Sequence, residues 1–542
     1  MAKPKLAQAS CFFLSKLPEW LPVTAGLAAL AIAVYANSLA NGFVSDDKIQ
    51  LLRNPLVGSV SQIPRILESG VWSTWDAGHP GNYYRPLQFL VYLAVQEIAG
   101  FSAPAFHSLM IMLHAINTVM LYGLVRRMAA GRLAFAAAAL FAVHPIHTEV
   151  VDWIASVPDS LVTALALGGV WRLAQQDGAA SGLTIAGQCG VYLAALLTKG
   201  TGVMLLPLYV GFGFLVCGRG WMELRHNGRL YAALAATLFI YLVLRVAALG
   251  SLVPGQDQFF HLNPLEFVLS AAVLAAQYLG ALLLPVNLNY FHIFHPTGSL
   301  KLAVLIAVLA LAAAGAAFSR LRLPLVGFGL FWISATMAPA LNLTGVGQNV
   351  FAERYLYLPS AGFCWIAAWA WDRLAGYQRQ WATTGGAAVV LLCAFGTVAR
   401  NRDWRDDYTL FQVTLRQSPE SGWLHNWMAS AHVERNEFSQ ALAEERLAVR
   451  YEPGTPAFHE NLGNILLLTD TRAAVEEFRK FLALQPDHAQ GHSDLAMGLE
   501  AAGEFREAAA EFQSALRLQP SNQEAQQGIR RVAVRLGHSR QP

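Results

Sequence analysis

The side chains best suited to chemistry are carboxylates and cations standing at the ends of apolar segments. Asp46 and Asp47 follow the first such segment, in NGFVSDDKIQLLRNP. Adjacent carboxylates beside a membrane could act as a general base and orient an acceptor nucleophile; they could equally fill the first turn of a short helix capped by Ser45 or Asp46. Arg85 closes the run Tyr83-Tyr84-Arg85-Pro86-Leu87 and could anchor at an interface or grip a phosphate with its planar fork of donors. His144-Pro145-Ile146-His147-Thr148-Glu149 ends another apolar stretch, with Asp152 and Asp159 beyond it. Lys199, in LLTKGTGVMLLP, could snorkel or neutralise a lipid-linked phosphate. Glu353-Arg354, in AERYLYLPS, could be a plain ion pair or could offer its arginine to a phosphate. His144, His147 and Glu149 could converge on a metal. Their spacing fits no established zinc motif and Pro145 would break a helix, so no metal is expected, a divalent ion being left open.

These residues need a membrane framework to hold them. The 542-residue chain is 55% hydrophobic and 13% charged, with a mean hydropathy of +0.39. A soluble chain carries about 25% charged residues, so a single soluble globule is excluded. The charge is also uneven: residues 1–400 carry 23 basic and 15 acidic side chains, residues 401–542 carry 15 and 20. A polytopic membrane domain over 1–400 and a soluble domain over 401–542 are expected. The net charge of +3 gives no reason to expect nucleic acid. Five scattered cysteines (Cys11, Cys189, Cys217, Cys364, Cys393) suggest neither a disulfide framework nor a zinc site.

Apolar stretches lie near 20–40, 104–125, 132–147, 159–176, 183–198, 201–217, 230–249, 266–286, 300–318, 323–341, 356–372 and 383–400. Arginine clusters at 126, 127 and 132, at 219, 225 and 229, at 320 and 322, and at 373 and 379 mark cytoplasmic loops. All four share a side only if 86–100 and 266–286 are interfacial helices. Eleven spans then follow from an uncleaved first helix with a cytoplasmic N-terminus, and everything after Arg400 lies outside. Under that topology Asp46, Asp47, Arg85, His144, His147, Glu149, Lys199 and Arg354 share the non-cytoplasmic face. Carboxylates and cations at a bilayer edge suit a polyprenyl-phosphate sugar, whose tail stays in the lipid while its phosphate takes cationic partners.

The tail repeats. Pro419, Pro453, Pro486 and Pro520 recur at 33–34 residue intervals, and small residues recur with them: Ala429, Gly463 and Ala496, then Ala441, Ala474 and Ala508. This is the period and pattern of tetratricopeptide (TPR) helix pairs, here about three repeats forming an α-solenoid. A groove that takes an acceptor peptide is the expected use.

SDD after the first span, YYRPL, His114 with Asn117, HPIHTEVVDWI, AERYLYLPSAGFC and Arg400-Asn401-x-x-Trp404 occur in this order. Together they resemble the transmembrane and tetratricopeptide-repeat-containing protein O-mannosyltransferases. The resemblance implies an all-α GT-C membrane glycosyltransferase followed by a TPR solenoid. It also implies inverting transfer of mannose from a dolichyl- or polyprenyl-phosphate donor to Ser/Thr of proteins. One of Asp46 and Asp47 would be the base, with Glu149 and Asp159 as a second acidic site. Arg85, His144, His147, Lys199 and Arg354 would be candidates for the donor phosphate. Gly200 stands where the family often has Glu, and the tail is shorter than in many eukaryotic members. The compact loops suggest a bacterial relative, in the inner membrane with its TPR domain in the periplasm. Alternatives are a GT-C transferase acting on a lipid or polysaccharide, and a non-catalytic membrane-anchored TPR scaffold.

Overall fold

The computed structural model describes residues 20–74, 83–176, 178–252, 262–294, 324–342 and 350–538. The stretch 300–318, His295, Arg320, Arg322 and Cys11 lie outside them. The chain forms two compact units, Met1–Asp406 and Asp407–Pro542. The described residues are helical, without strands.

Among the described residues of the first unit, six helices are long and apolar enough to cross a membrane: Trp20–Ala40, Ala103–Met128, Ile154–Ala174, Gly228–Leu249, Pro264–Leu283 and Gln380–Trp404. A seventh candidate, Gly131–Val143 with Pro145–Asp152, is bent by 51°. Pro86–Ala99, Gly182–Thr198, Gly200–Val216 and Leu325–Leu341 are apolar but shorter. At 1.5 Å per residue they fall below the roughly 30 Å of a hydrocarbon core. Pro264–Leu283 covers the stretch 266–286 expected as an interfacial helix, and its length and hydropathy also suffice for a span. It is a continuous helix opened by a capping box, in which Asn263 and Glu266 each accept the other's backbone N–H at 2.9 Å, with Pro264 at the first helical position. Alanines 134, 137, 138 and 142 are buried where helices meet, since small side chains let backbones approach without a hydrophobic drive from lipid.

The bend has a local cause. Pro145 lacks an N–H, so the helix ends at Val143 and its last carbonyls lose their partners. Inside a membrane such groups must be satisfied by protein. Here His147 Nδ1 donates to Phe141 at 2.9 Å, His114 Nε2 to Ala142 at 3.1 Å and the Thr397 hydroxyl to Val143 at 2.7 Å. The far ends of both imidazoles are also occupied: His147 Nε2 by Ser360 Oγ at 2.8 Å, His114 Nδ1 by the Tyr357 hydroxyl at 2.8 Å. His144 Nδ1 accepts the N–H of Ile146 at 3.2 Å while its Nε2 donates to Leu282 at 3.1 Å.

The second unit contains three antiparallel helix pairs: Gly422–Glu434 with Phe438–Tyr451, Pro456–Leu466 with Thr471–Leu484, and Ala489–Ala502 with Phe505–Leu518. Asp407–Gln417 precedes them and Gln523–His538 follows. Ala429, Ala441, Ala474, Ala496, Ala508 and Ala515 are buried at the pair contacts. A histidine six residues after each of the first three prolines ties its repeat together. His425, His459 and His492 donate from Nε2 to the carbonyls of Pro419, Pro453 and Pro486 at 2.9–3.0 Å. Their Nδ1 atoms sit 2.6 Å from Glu444, Glu477 and Glu511 on the partner helix. Gln526 makes the same bond to the carbonyl of Pro520 at 2.7 Å.

Candidate active site

Asp46 and Asp47 are neighbours with different environments. Ser45 adopts a left-handed backbone (φ 52°), which turns the chain sharply before the two acids. Its hydroxyl lies 2.7 Å from that of Tyr290. Asp47 is fully buried. Its Oδ1 accepts the N–H of Ala155 at 2.7 Å and its Oδ2 that of Val44 at 3.1 Å, fastening the first loop to the 3-10 turn Ile154–Ser156. Asp46 is half-buried and accepts from Gln50 Nε2 at 3.3 Å. Gln88 in turn donates to Gln50 Oε1 at 2.7 Å and lies 2.8 Å from the Tyr92 hydroxyl, which donates to the carbonyl of Ile154. Asp46 is therefore aligned by a chain of neutral hydrogen bonds, while Asp47 is spent on backbone.

The bent segment after Val143 supplies Glu149, which is buried. Arg354 grips it twice, from its guanidinium at 2.5 Å and from its backbone N–H at 2.9 Å. The guanidinium also lies 5.0 Å from the Trp153 ring centroid and 4.9 Å from that of Tyr355. Glu353 does not pair with Arg354. It accepts the N–H of Asn289 at 2.5 Å and pairs with Arg400 at 2.7 Å, tying the loop after Pro264–Leu283 to the end of Arg379–Arg400.

Lys199 caps the C-terminus of Gly182–Thr198 and pairs with Asp159 at 2.5 Å. Its ammonium sits 5.3 Å from the Tyr355 ring, and Arg85 and Arg354 both lie within electrostatic reach of it. Arg85, 4.5 Å over the Tyr83 ring, completes the cationic group. Tyr290 links the two halves, interacting with Asp46 on one side and with Arg354 and Glu149 on the other.

Asp46, Asp47, Arg85, Glu149, Asp159, Lys199 and Arg354 thus gather at one end of the bundle. His144 and His147 do not join them: both are buried in the helix break, with every ring nitrogen bonded to the protein's own groups. Among the described residues no group of three or more His, Cys, Asp or Glu could hold a metal ion. Sequence reasoning missed Gln50, Gln88, Tyr92 and Tyr290. Gln88 left a signal, since it is a polar residue in the otherwise apolar run PLQFLVYLAV.

The chain is 24% identical over 507 residues to the human protein O-mannosyl-transferase TMTC3, which covers 84% of this chain and 54% of that protein. It is 26% identical over 505 residues to human TMTC1, covering 81% of this chain and 56% of that one. Its curated relatives are TMTC-family protein O-mannosyl-transferases. The chain spans about half the length of these relatives. No family model matches it. Among solved structures, the Archaeoglobus fulgidus oligosaccharyltransferase complex with zinc and sulfate aligns over 70% of this chain and 53% of its own, at 14% identity and a TM-score of 0.41. The first TPR of Spaghetti (RPAP3) bound to an HSP90 peptide aligns over 22% of this chain and 94% of its own, at 17% identity and a TM-score of 0.21.

Proposed function

We propose that this protein is a membrane glycosyltransferase that moves a sugar, mannose by analogy with its relatives, from a polyprenyl-phosphate donor to Ser/Thr hydroxyls of proteins on the non-cytoplasmic side. The observation that carries the reading is the convergence of the Asp46 carboxylate with the Arg354, Lys199 and Arg85 cations at a single end of the bundle. In a single displacement the acceptor oxygen bonds to the anomeric carbon as the bond from that carbon to the phosphate oxygen breaks. Asp46 takes the acceptor's proton, and the polyprenyl phosphate leaves against the cations. Asp47 holds the loop that presents Asp46, and Glu149 and Asp159 hold Arg354 and Lys199 in place. The repeats of the second unit engage the acceptor polypeptide. The N-terminus is cytoplasmic and the repeats are extracytoplasmic, in the periplasm if the membrane is a bacterial inner membrane.

The test is purified full-length protein in detergent with a radiolabelled polyprenyl-phosphate hexose and a Ser/Thr-rich peptide. Label on the peptide, lost in Asp46→Asn at normal expression, supports the reading. Donor binding with label passing to a lipid or polysaccharide moves the acceptor. Absence of donor binding leaves the membrane-anchored scaffold.

A further inference from the structure

The opposite end of the membrane unit holds a cavity that transfer does not use. The helices Ala103–Met128 and Val157–Ala174 both start at the carboxylate site, where His107 meets the carbonyl of Gly42 and Asp159 pairs with Lys199. Both end at this cavity; from Asp159 to Leu173 is about 20 Å of helix. The cavity has a volume of about 350 Å³ and is lined by Arg127, Leu173, Gln176, Phe212, Val216 and Cys217, among others. Pockets that hold small ligands run from about 300 to 1,000 Å³.

Two of its polar side chains lack protein partners among the described residues. Arg127 is exposed and has no carboxylate partner among the described residues. The Gln176 side-chain oxygen is buried without a hydrogen-bond partner. The surrounding face is basic: Arg126 and Arg127 end one helix and Arg172 lies in the last turn of the other. Among the described residues, Glu223 is paired with Arg219 at 3.0 Å and Asp372 with Arg132 at 2.6 Å. The cavity therefore presents an unpaired cation, an unpaired acceptor and apolar side chains at the C-terminal ends of two apolar helices. One amphiphile answers all three.

We propose that this cavity binds an anionic phospholipid with a hydroxylated headgroup. The phosphate sits on Arg127, a headgroup hydroxyl donates to Gln176, and an acyl chain lies against Leu173, Phe212 and Val216. The site is independent of the transferase reading.

Cys217 is an exposed free thiol in the lining and reports occupancy directly. The full-length protein is placed in nanodiscs of phosphatidylcholine, with or without phosphatidylglycerol, and the rate of maleimide labelling is followed, with Cys217→Ser as the background. Phosphatidylglycerol is expected to slow labelling about fivefold, the protection mass action gives when a ligand exceeds its Kd several times over. Arg127→Ala abolishes the protection, Arg127→Lys restores part of it, and Gln176→Leu reduces it to the level given by phosphatidic acid, which lacks the hydroxyl. Each variant must elute as a single species like the parent. Equal rates in the two membranes, or slowing that survives Arg127→Ala, overturns the proposal. Protection by inorganic phosphate in phosphatidylcholine alone overturns it in favour of a free-anion site. Phosphatidic acid protecting as well as phosphatidylglycerol overturns the contact with Gln176.

Discussion

Asp47 and Ala155 are 108 residues apart in the chain, yet the carboxylate of one accepts the backbone N–H of the other at 2.7 Å. That bond, with the second from Val44, ties the loop after Trp20–Ala40 to the turn Ile154–Ser156, while Asp46 beside it meets the Gln50 side chain. Two identical, adjacent side chains are divided between architecture and chemistry by what each one meets.

Neutralising the two acids should therefore have different consequences. Asp46→Asn should lower transfer by about 10²- to 10⁴-fold, the usual contribution of a general base, with an unchanged melting temperature. Asp47→Asn places an amide against two backbone donors and should destabilise the protein by about 1–3 kcal/mol, visible as a lower melting temperature in detergent. Equal melting temperatures for the two variants would contradict the division.

Glu149 and Arg354 form a buried pair, and removing one partner strands the other. Glu149→Gln should cost about 3–5 kcal/mol of stability, whereas Glu149→Gln combined with Arg354→Met should recover much of it. The double variant is expected to fold without transferring sugar. A thermal-shift double-mutant cycle measured beside an activity assay separates the two roles, and additivity of the single losses would rule out the pair.

At the helix break, His147→Ala leaves the carbonyl of Phe141 buried without a donor, and the same holds for Ala142 in His114→Ala. Each should destabilise by about 1–3 kcal/mol while leaving donor affinity in the surviving folded fraction unchanged. Donor Kd is the readout. A weakened Kd at full stability would put His147 at the phosphate instead.

The repeats should loosen as pH rises. Both nitrogens of His425 face acceptors, Glu444 and the carbonyl of Pro419, so both bonds need the charged ring. Burial opposes that charge, but these two acceptors outweigh it and, with the nearby Glu445, hold the imidazole above its usual range. A raised folded value means stability present below about pH 6.5 and lost as pH climbs through the folded value. Glu445, pushed up to about 7 by burial against the hydrogen bonds of Asn426, acts in the same direction. Hydrogen exchange of residues 407–538 in the full chain, corrected for intrinsic rate, should be slower at pH 6 than at pH 8. His425→Gln should flatten much of the difference while keeping the proline carbonyl capped, as Gln526 already does in the last repeat. Exchange that slows with rising pH would exclude the imidazolium clasp.

Much of this protein is legible without coordinates because its strongest constraints are periodic or compositional. A 33–34 residue recurrence of proline and small residues specifies stacked helix pairs, and long apolar runs specify a membrane bundle. The types and order of the site residues were legible too, since ionisable groups at membrane ends are too costly to keep without use. What each one does was not. His144 and His147 read as candidates for the donor phosphate because a histidine's partners are invisible in one dimension; here His147 meets the Phe141 carbonyl that Pro145 sets free, and His144 the Leu282 carbonyl at the end of another helix. Gln88 and Tyr290 escaped notice because their relation to Asp46 runs across separate segments. The sequence alone determined the helices, the repeats and the cast of charged residues, since these follow from local spacing and transfer free energy. Only the tertiary structure decided that Asp47 holds two backbone N–H groups while Asp46, one residue before it, faces the Gln50 side chain, because hydrogen bonds between distant segments settle what each polar group meets.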